Sequence, residues 1–245
     1  FAELKESENE VRSILMLFEA NGLPGKVLLN GLASESEIKS RDTAPYRFIH
    51  IATHGIINEE KPKLSGIVFA APDSGSPDDG VLYSGEIYTL RLNADLVVLS
   101  ACQSGLGTIA KGEGILGLTR GFMYAGARNL LVSLWQVADK STAELKVEFY
   151  RNILSQNGGS SKSQDYSAAL RKAKLAMING KKYAHPVEWS PFVLTGRKCD
   201  TSMSFPNGCR GILVGFQGML FESALPCEPT KKLDFVYSFY ELIHQ

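Results

Sequence analysis

Three short apolar runs constrain the fold of this chain more than any other feature. Residues 47–53 read R-F-I-H-I-A-T, residues 95–100 read D-L-V-V-L-S, and residues 129–135 read N-L-L-V-S-L-W. Short, β-branched-rich runs that stay apolar at consecutive positions fit strands buried on both faces of a parallel sheet. Segments with helical spacing lie around them. Val11, Ile14, Leu15 and Phe18 share one helical face, which Gly22 and Pro24 terminate. Asp139 to Leu154 places Ala143, Val147, Tyr150 and Leu154 on one face, Gly112 to Tyr124 reads as a helix closed by Gly126, and another helix is predicted from Asp165 to Ile178. Shorter elements fill the gaps: a strand Lys26–Leu29, a helix capped by Ser34 with Glu37 three residues on, a strand Gly66–Ala71, a loop Asp73–Gly80, a helix capped by Ser84 and running to Leu90, and a last strand Trp189–Thr195. This alternation predicts an α/β sandwich with a mostly parallel sheet flanked by helices.

Composition narrows the function classes. Lys+Arg and Asp+Glu balance at 26 each, so no net electrostatic footprint points to nucleic acid or an anionic membrane. No apolar run is long enough to span a bilayer. The sequence opens on Phe1 with no charged-then-apolar leader, the expectation being a start inside a longer protein or after processing. Cys102, Cys199, Cys209 and Cys227 form no C-x-x-C pair and neither a disulfide framework nor a good zinc pattern, which makes a reducing cytosol the expected compartment. From Gly196 onward the periodicity fails. Ile212–Leu220 is apolar but broken by glycine, Phe235–Ile243 is weakly helical, and residues 197–245 read as an extension without an assigned role beside a main domain of residues 1–196.

Sites in open parallel sheets form beyond the carboxyl ends of the strands. Two such ends carry reactive residues: Ile51-Ala52-Thr53-His54-Gly55 and Leu99-Ser100-Ala101-Cys102-Gln103. If the two strands are parallel neighbours, a thiol and an imidazole meet. The thiolate is the nucleophile, and a neighbouring imidazole can take its proton and later protonate a leaving amine. The oxyanion that forms needs fixed donors, and the backbone N–H groups of Gly55 and Cys102 are placed to serve.

Several segments in order carry a family resemblance: A-T-His54-Gly55, L-S-G-I-V-F at 64–69, A-D-L-V-V-L-S-A-C-Q-S-G at 94–105, G-E-G-I-L-G-L-T-R-G-F-M-Y-A-G-A-R at 112–128, S-L-W-Q-V-A-D-K-S-T-A-E-L at 133–145 and Y-A-H-P-V-E-W-S-P-F-V-L-T-G at 183–196. Over about residues 1 to 196 the chain resembles the CHAT domain family, which shares its fold with caspases and separases. The resemblance implies a caspase-like three-layer sandwich, a clan CD cysteine endopeptidase with His54 and Cys102 as its dyad, protein or peptide substrates, and no metal or nucleotide cofactor. It also implies that Ser100, two residues before the cysteine, lines the pocket for the P1 side chain. A serine there gives no indication of a strongly basic P1. Ser133 and Trp135 correspond to the strand lining the substrate cleft. Asp139 either reaches that pocket or caps the helix it opens. A regulatory region such as helical repeats, in the same or a partner chain, is expected to control activity.

Blander readings stand beside these. Cys102 alone fits a buried structural thiol, and His54 a hydrogen-bonded surface residue. His50 shares a strand face with Phe48 and Ala52 and reads as a satisfied core histidine, and His185 as a structural residue in a turn. Gly112-x-Gly114-x-x-Gly117 matches a dinucleotide fingerprint but does not directly follow a strand, so close packing of a helix explains it better. The rivals to the peptidase are a non-catalytic CHAT-like scaffold and, on the glycine pattern alone, a nucleotide-binding domain.

Overall fold

A computed structural model describes residues 4, 6–40, 43, 45–58, 60–72, 74–100, 102–103, 113–135, 137–157, 164–196 and 210–215. The chain runs α1 (Ser7–Ala20), β1 (Gly25–Leu29), α2 (Glu35–Lys39), β2 (Tyr46–Ala52), β3 (His54–Ile56), β4 (Gly66–Val68), β5 (Val81–Tyr83), α3 (Ser84–Ile87), β6 (Leu96–Leu99), β7 (Cys102–Gln103), α4 (Glu113–Tyr124), β8 (Asn129–Ser133), α5 (Asp139–Leu154), α6 (Tyr166–Asn179), α7 (Pro186–Trp189), β9 (Phe192–Gly196) and β10 (Arg210–Gly215). The main sheet has the order β1-β10-β2-β6-β8-β9. Every pairing in it is parallel except β8 with β9. A smaller sheet, β5-β4-β3-β7, carries the chain beyond the carboxyl ends of β2 and β6.

The three apolar runs became β2, β6 and β8 because each residue has a buried layer to enter. Ile49, Ile51, Val97, Leu99, Leu130 and Val132 pack with Ile38, Ile87, Leu118 and Phe122 on one side of the sheet. Phe48, Ala52, Leu96, Val98 and Leu131 pack with Ile14, Phe18, Phe149, Tyr150 and Ala169 on the other. Successive side chains alternate between two dry layers, which is why these strands carry no polar alternation. The result is the expected three-layer α/β sandwich, with α1, α5 and α6 on one face and α2, α3 and α4 on the other.

Local signals account for most boundaries. The Ser34 hydroxyl accepts the Glu37 N–H at 3.3 Å to cap α2, and the Asp165 carboxylate accepts the Ala168 N–H at 2.8 Å to cap α6. Gly126 holds φ +114 after α4, with no room for a Cβ, which would sit 2.0 Å from the Leu92 carbonyl oxygen. Lys39 binds the carboxylates of Glu35, Asp78 and Glu86, tying α2 to α3 and to the segment that precedes β5.

Three expectations are corrected. Ser84 does not cap α3 but lies inside it, its hydroxyl donating to the Pro62 and Lys63 carbonyls, while the Glu86 carboxylate accepts the Tyr83 N–H at 2.9 Å. Trp189 ends the short helix α7 rather than opening the last strand. Gly117 meets nothing where a Cβ would be, so it serves no close packing; Gly121 does, facing Ile87 at 3.0 Å. Within the extension, to which the sequence assigned no role, Arg210–Gly215 form β10 between β1 and β2, and Leu213 is 1% exposed in the core. Cys199, Cys209, Cys227 and the segment 235–243 lie outside the described residues.

Candidate active site

The register of two strands decides what meets at the sheet's carboxyl edge. β2 and β6 pair Phe48 with Leu96, Ile49 with Val97, His50 with Val98 and Ile51 with Leu99. The Ser100 N–H then donates to the Ile51 carbonyl at 2.8 Å. Beyond Thr53, whose hydroxyl donates to the Val68 carbonyl at 2.6 Å, the chain enters β3 with the register unchanged: His54 pairs with Cys102 and Gly55 with Gln103, in parallel. Neighbouring strands lie about 4.8 Å apart, so the backbones of His54 and Cys102 are side by side. The pairing is inherited from the core. A slip of one residue would turn every side chain of β2 or β6 into the wrong layer.

His54 is 2% exposed. Gly55 lies between Gln103 on one side and Ile67 on the other. It shares a small apolar cavity of about 30 Å³ with Ile57, Leu99, Val132 and Ser133. The Ser133 hydroxyl donates to the Trp135 carbonyl at 2.6 Å, closing the turn that leaves β8 with Trp135 38% exposed. Ser100 and Asp139 come together in a second, narrower pocket of about 10 Å³ that Glu6, Glu10 and Thr142 also line. Asp139 is the first residue of α5 behind Ala138 at the cap position. A wider concavity, about 620 Å³ among α1, α5 and α6, contains none of the predicted site residues.

Beneath the two strand ends lies a polar cluster that the sequence does not announce. His50 is fully buried, its Nε2 2.7 Å from Glu10 Oε1 and its Nδ1 3.3 Å from the Tyr150 hydroxyl. The Ser100 hydroxyl donates to Glu10 Oε2 at 3.2 Å. Burial opposes ionisation of Glu10, but the His50 hydrogen bond, the nearby charges and the Ser100 bond outweigh it and hold this carboxyl below the usual range. Burial pushes the His50 imidazole below its ordinary value despite Glu10. A neutral His50 that donates from Nε2 to Glu10 and accepts from Tyr150 at Nδ1 satisfies both contacts. Lys146, also fully buried, stands 4.8 Å from the centre of the Phe192 ring. Glu10 escaped the sequence reading because it is acidic, yet it sits four residues before Ile14, on the apolar face of α1; that position was the available signal.

Against this geometry, a family model described as "CHAT domain" matches residues 1–197. The chain belongs to the CHAT domain family. This CHAT domain is 33% identical over 131 residues to the Tetratricopeptide repeat protein 28 of Mus musculus and 32% identical over 131 residues to that of Homo sapiens. Each match takes in 54% of this chain and 5% of the relative, so the CHAT domain chain matches only a small part of either protein. Among the described residues, no three His, Cys, Asp or Glu side chains gather in a way that could hold a metal ion, and no helix is long and apolar enough to cross a membrane. The glycine pattern at 112–117 falls at the start of α4, and its first glycine lies outside the described residues.

Proposed function

We propose that this CHAT domain is a cysteine endopeptidase that hydrolyses peptide bonds in protein substrates through a His54–Cys102 dyad. The observation that carries the reading is the parallel register pairing of His54 with Cys102 at the carboxyl edge of the sheet. In this mechanism the Cys102 sulfur bonds to the substrate carbonyl carbon as His54 takes the thiol proton. The tetrahedral oxyanion accepts hydrogen bonds from the backbone N–H groups of Gly55 and Cys102. It collapses to a thioester, and His54 gives its proton to the departing amine. Water, deprotonated by His54, then attacks the thioester, releasing the acid and restoring the thiol. Ser100 helps line the pocket for the P1 side chain, Ser133 and Trp135 line the substrate cleft, and Asp139 reaches the P1 pocket. No metal or nucleotide takes part.

The tight burial of His54 and the narrowness of both adjoining pockets support a regulated enzyme that opens before it accepts substrate. The names of the relatives support a repeat-containing regulatory region, in the same chain or a partner, as the source of that opening. The same burial favours one rival, a CHAT module that scaffolds interactions without catalysis.

Labelling with a panel of thiol-directed peptidyl probes varied at P1 separates the two readings. The peptidase labels at Cys102, with a preference among probes, and loses the label in His54→Ala. Labelling spread over other cysteines, or equal labelling of the wild type and His54→Ala, would establish the scaffold.

A further inference from the structure

One carboxylate reaches both strands that lead to the candidate dyad. Glu10 Oε1 lies 2.7 Å from His50 Nε2, and His50 is four residues before His54 on the same run of chain. Glu10 Oε2 accepts from the Ser100 hydroxyl at 3.2 Å, and Ser100 is two residues before Cys102. Glu10 itself belongs to α1, which packs across the face of the sheet. The groups around it come from every neighbouring element: His50 from β2, Ser100 from the end of β6, Tyr150 and Lys146 from α5, and Glu6 and Asp139 along the narrow pocket beside it. A buried carboxylate with both oxygens engaged holds its partners more rigidly than apolar packing can, because any shift breaks a charge-assisted bond in a low-dielectric interior.

We propose that Glu10 is a positioning residue that clamps the His54-bearing and Cys102-bearing strands in catalytic register. The clamp rests on the dyad reading above. α1 is thereby the element through which a displacement at the amino-terminal side of the domain reaches the nucleophile: tilting the helix moves Glu10, and Glu10 moves both strand ends together. The Ser100 side chain accordingly works inward on Glu10.

The test is the pH dependence of Cys102 alkylation by iodoacetamide in the whole chain, with the modified peptide identified by mass spectrometry and thermal unfolding followed on the same samples. The wild type is expected to react near pH 7 through a component that His54→Ala removes. Glu10→Gln and Ser100→Ala, still folded, are expected to lose that component by about tenfold, moving the profile toward an ordinary thiol, which is only a few per cent ionised there. Tyr150→Phe removes a bond from the same cluster without touching Glu10 and is expected to lower the melting temperature while leaving the profile in place. If Glu10→Gln does not fold, Ser100→Ala decides alone. A wild-type profile in folded Ser100→Ala overturns the clamp and leaves the dyad standing. A wild-type profile indifferent to His54→Ala overturns the dyad, and the clamp with it.

Discussion

His50 and His54 are four residues apart, both buried, in different surroundings. His50 is sealed among Glu10, Tyr150 and the sheet, whereas His54 follows the end of the same strand and pairs with Cys102. The seal predicts a pH effect on stability. Burial depresses the folded-state pKa of His50 below 6.5, so as pH falls through that value the unfolded chain takes up a proton that the folded protein refuses. Stability is therefore full above that value and declines below it. Glu10, held below 4.5, adds its own loss only at lower pH. Melting temperatures between pH 7.5 and 5.5 are expected to fall more steeply for the wild type than for His50→Gln; parallel slopes would show that His50 is not buried as a neutral base. Alternation along R-F-I-H-I-A-T placed His50 on the correct face from sequence alone. Its partner was not legible, because Glu10 lies on another element and only the tertiary fold brings it across.

Among the elements, the longer buried strands β2, β6 and β8 and the long helices were legible because their apolar patterns leave few alternatives, and α5 spans the residues predicted for it, whereas β3, β5 and β7 are too short to show a period. Glycine roles were not, because they depend on what stands opposite each Cα. Gly126 and Gly117 make opposite predictions. A methyl at Gly126 would strike the Leu92 carbonyl and suffer a positive φ, so Gly126→Ala is expected to cost more than about 1 kcal/mol in chemical denaturation. Gly117 lies within α4 facing open space, so Gly117→Ala is expected to stabilise by roughly 0.5–1 kcal/mol. The meeting of the two strand ends was legible only as a condition, that β2 and β6 be parallel neighbours; both faces of these strands are apolar, so the pairing of Phe48 with Leu96 and of His54 with Cys102 is visible only in the fold. The contacts of Ser100 and Asp139 were not legible, since the position of α1 decides them.

At the scale of the whole molecule, the strand from the extension has the largest consequence. β10 pairs with β1 along Gly25 to Leu29 and with β2 along Tyr46 to Ala52, so the sheet edge that supports His50 depends on residues beyond the family match. Glycines flank and interrupt this strand, and the sequence pattern therefore gave it no place in the core. Leu213→Ala is expected to cost roughly 2–5 kcal/mol, as for other buried leucines. Deletion of residues 197–245 is expected to lower the melting temperature further, since it leaves two strands without their shared neighbour; an unchanged melting temperature would mean that β1 and β2 close the sheet without β10. The central proposal is that the paired strand ends cut peptide bonds. Its most direct test is to incubate the protein with a proteome-derived peptide library and sequence the new amino termini. The account predicts termini that share a residue preference at the cut and vanish with Cys102→Ala; identical termini from the wild type and Cys102→Ala would contradict it.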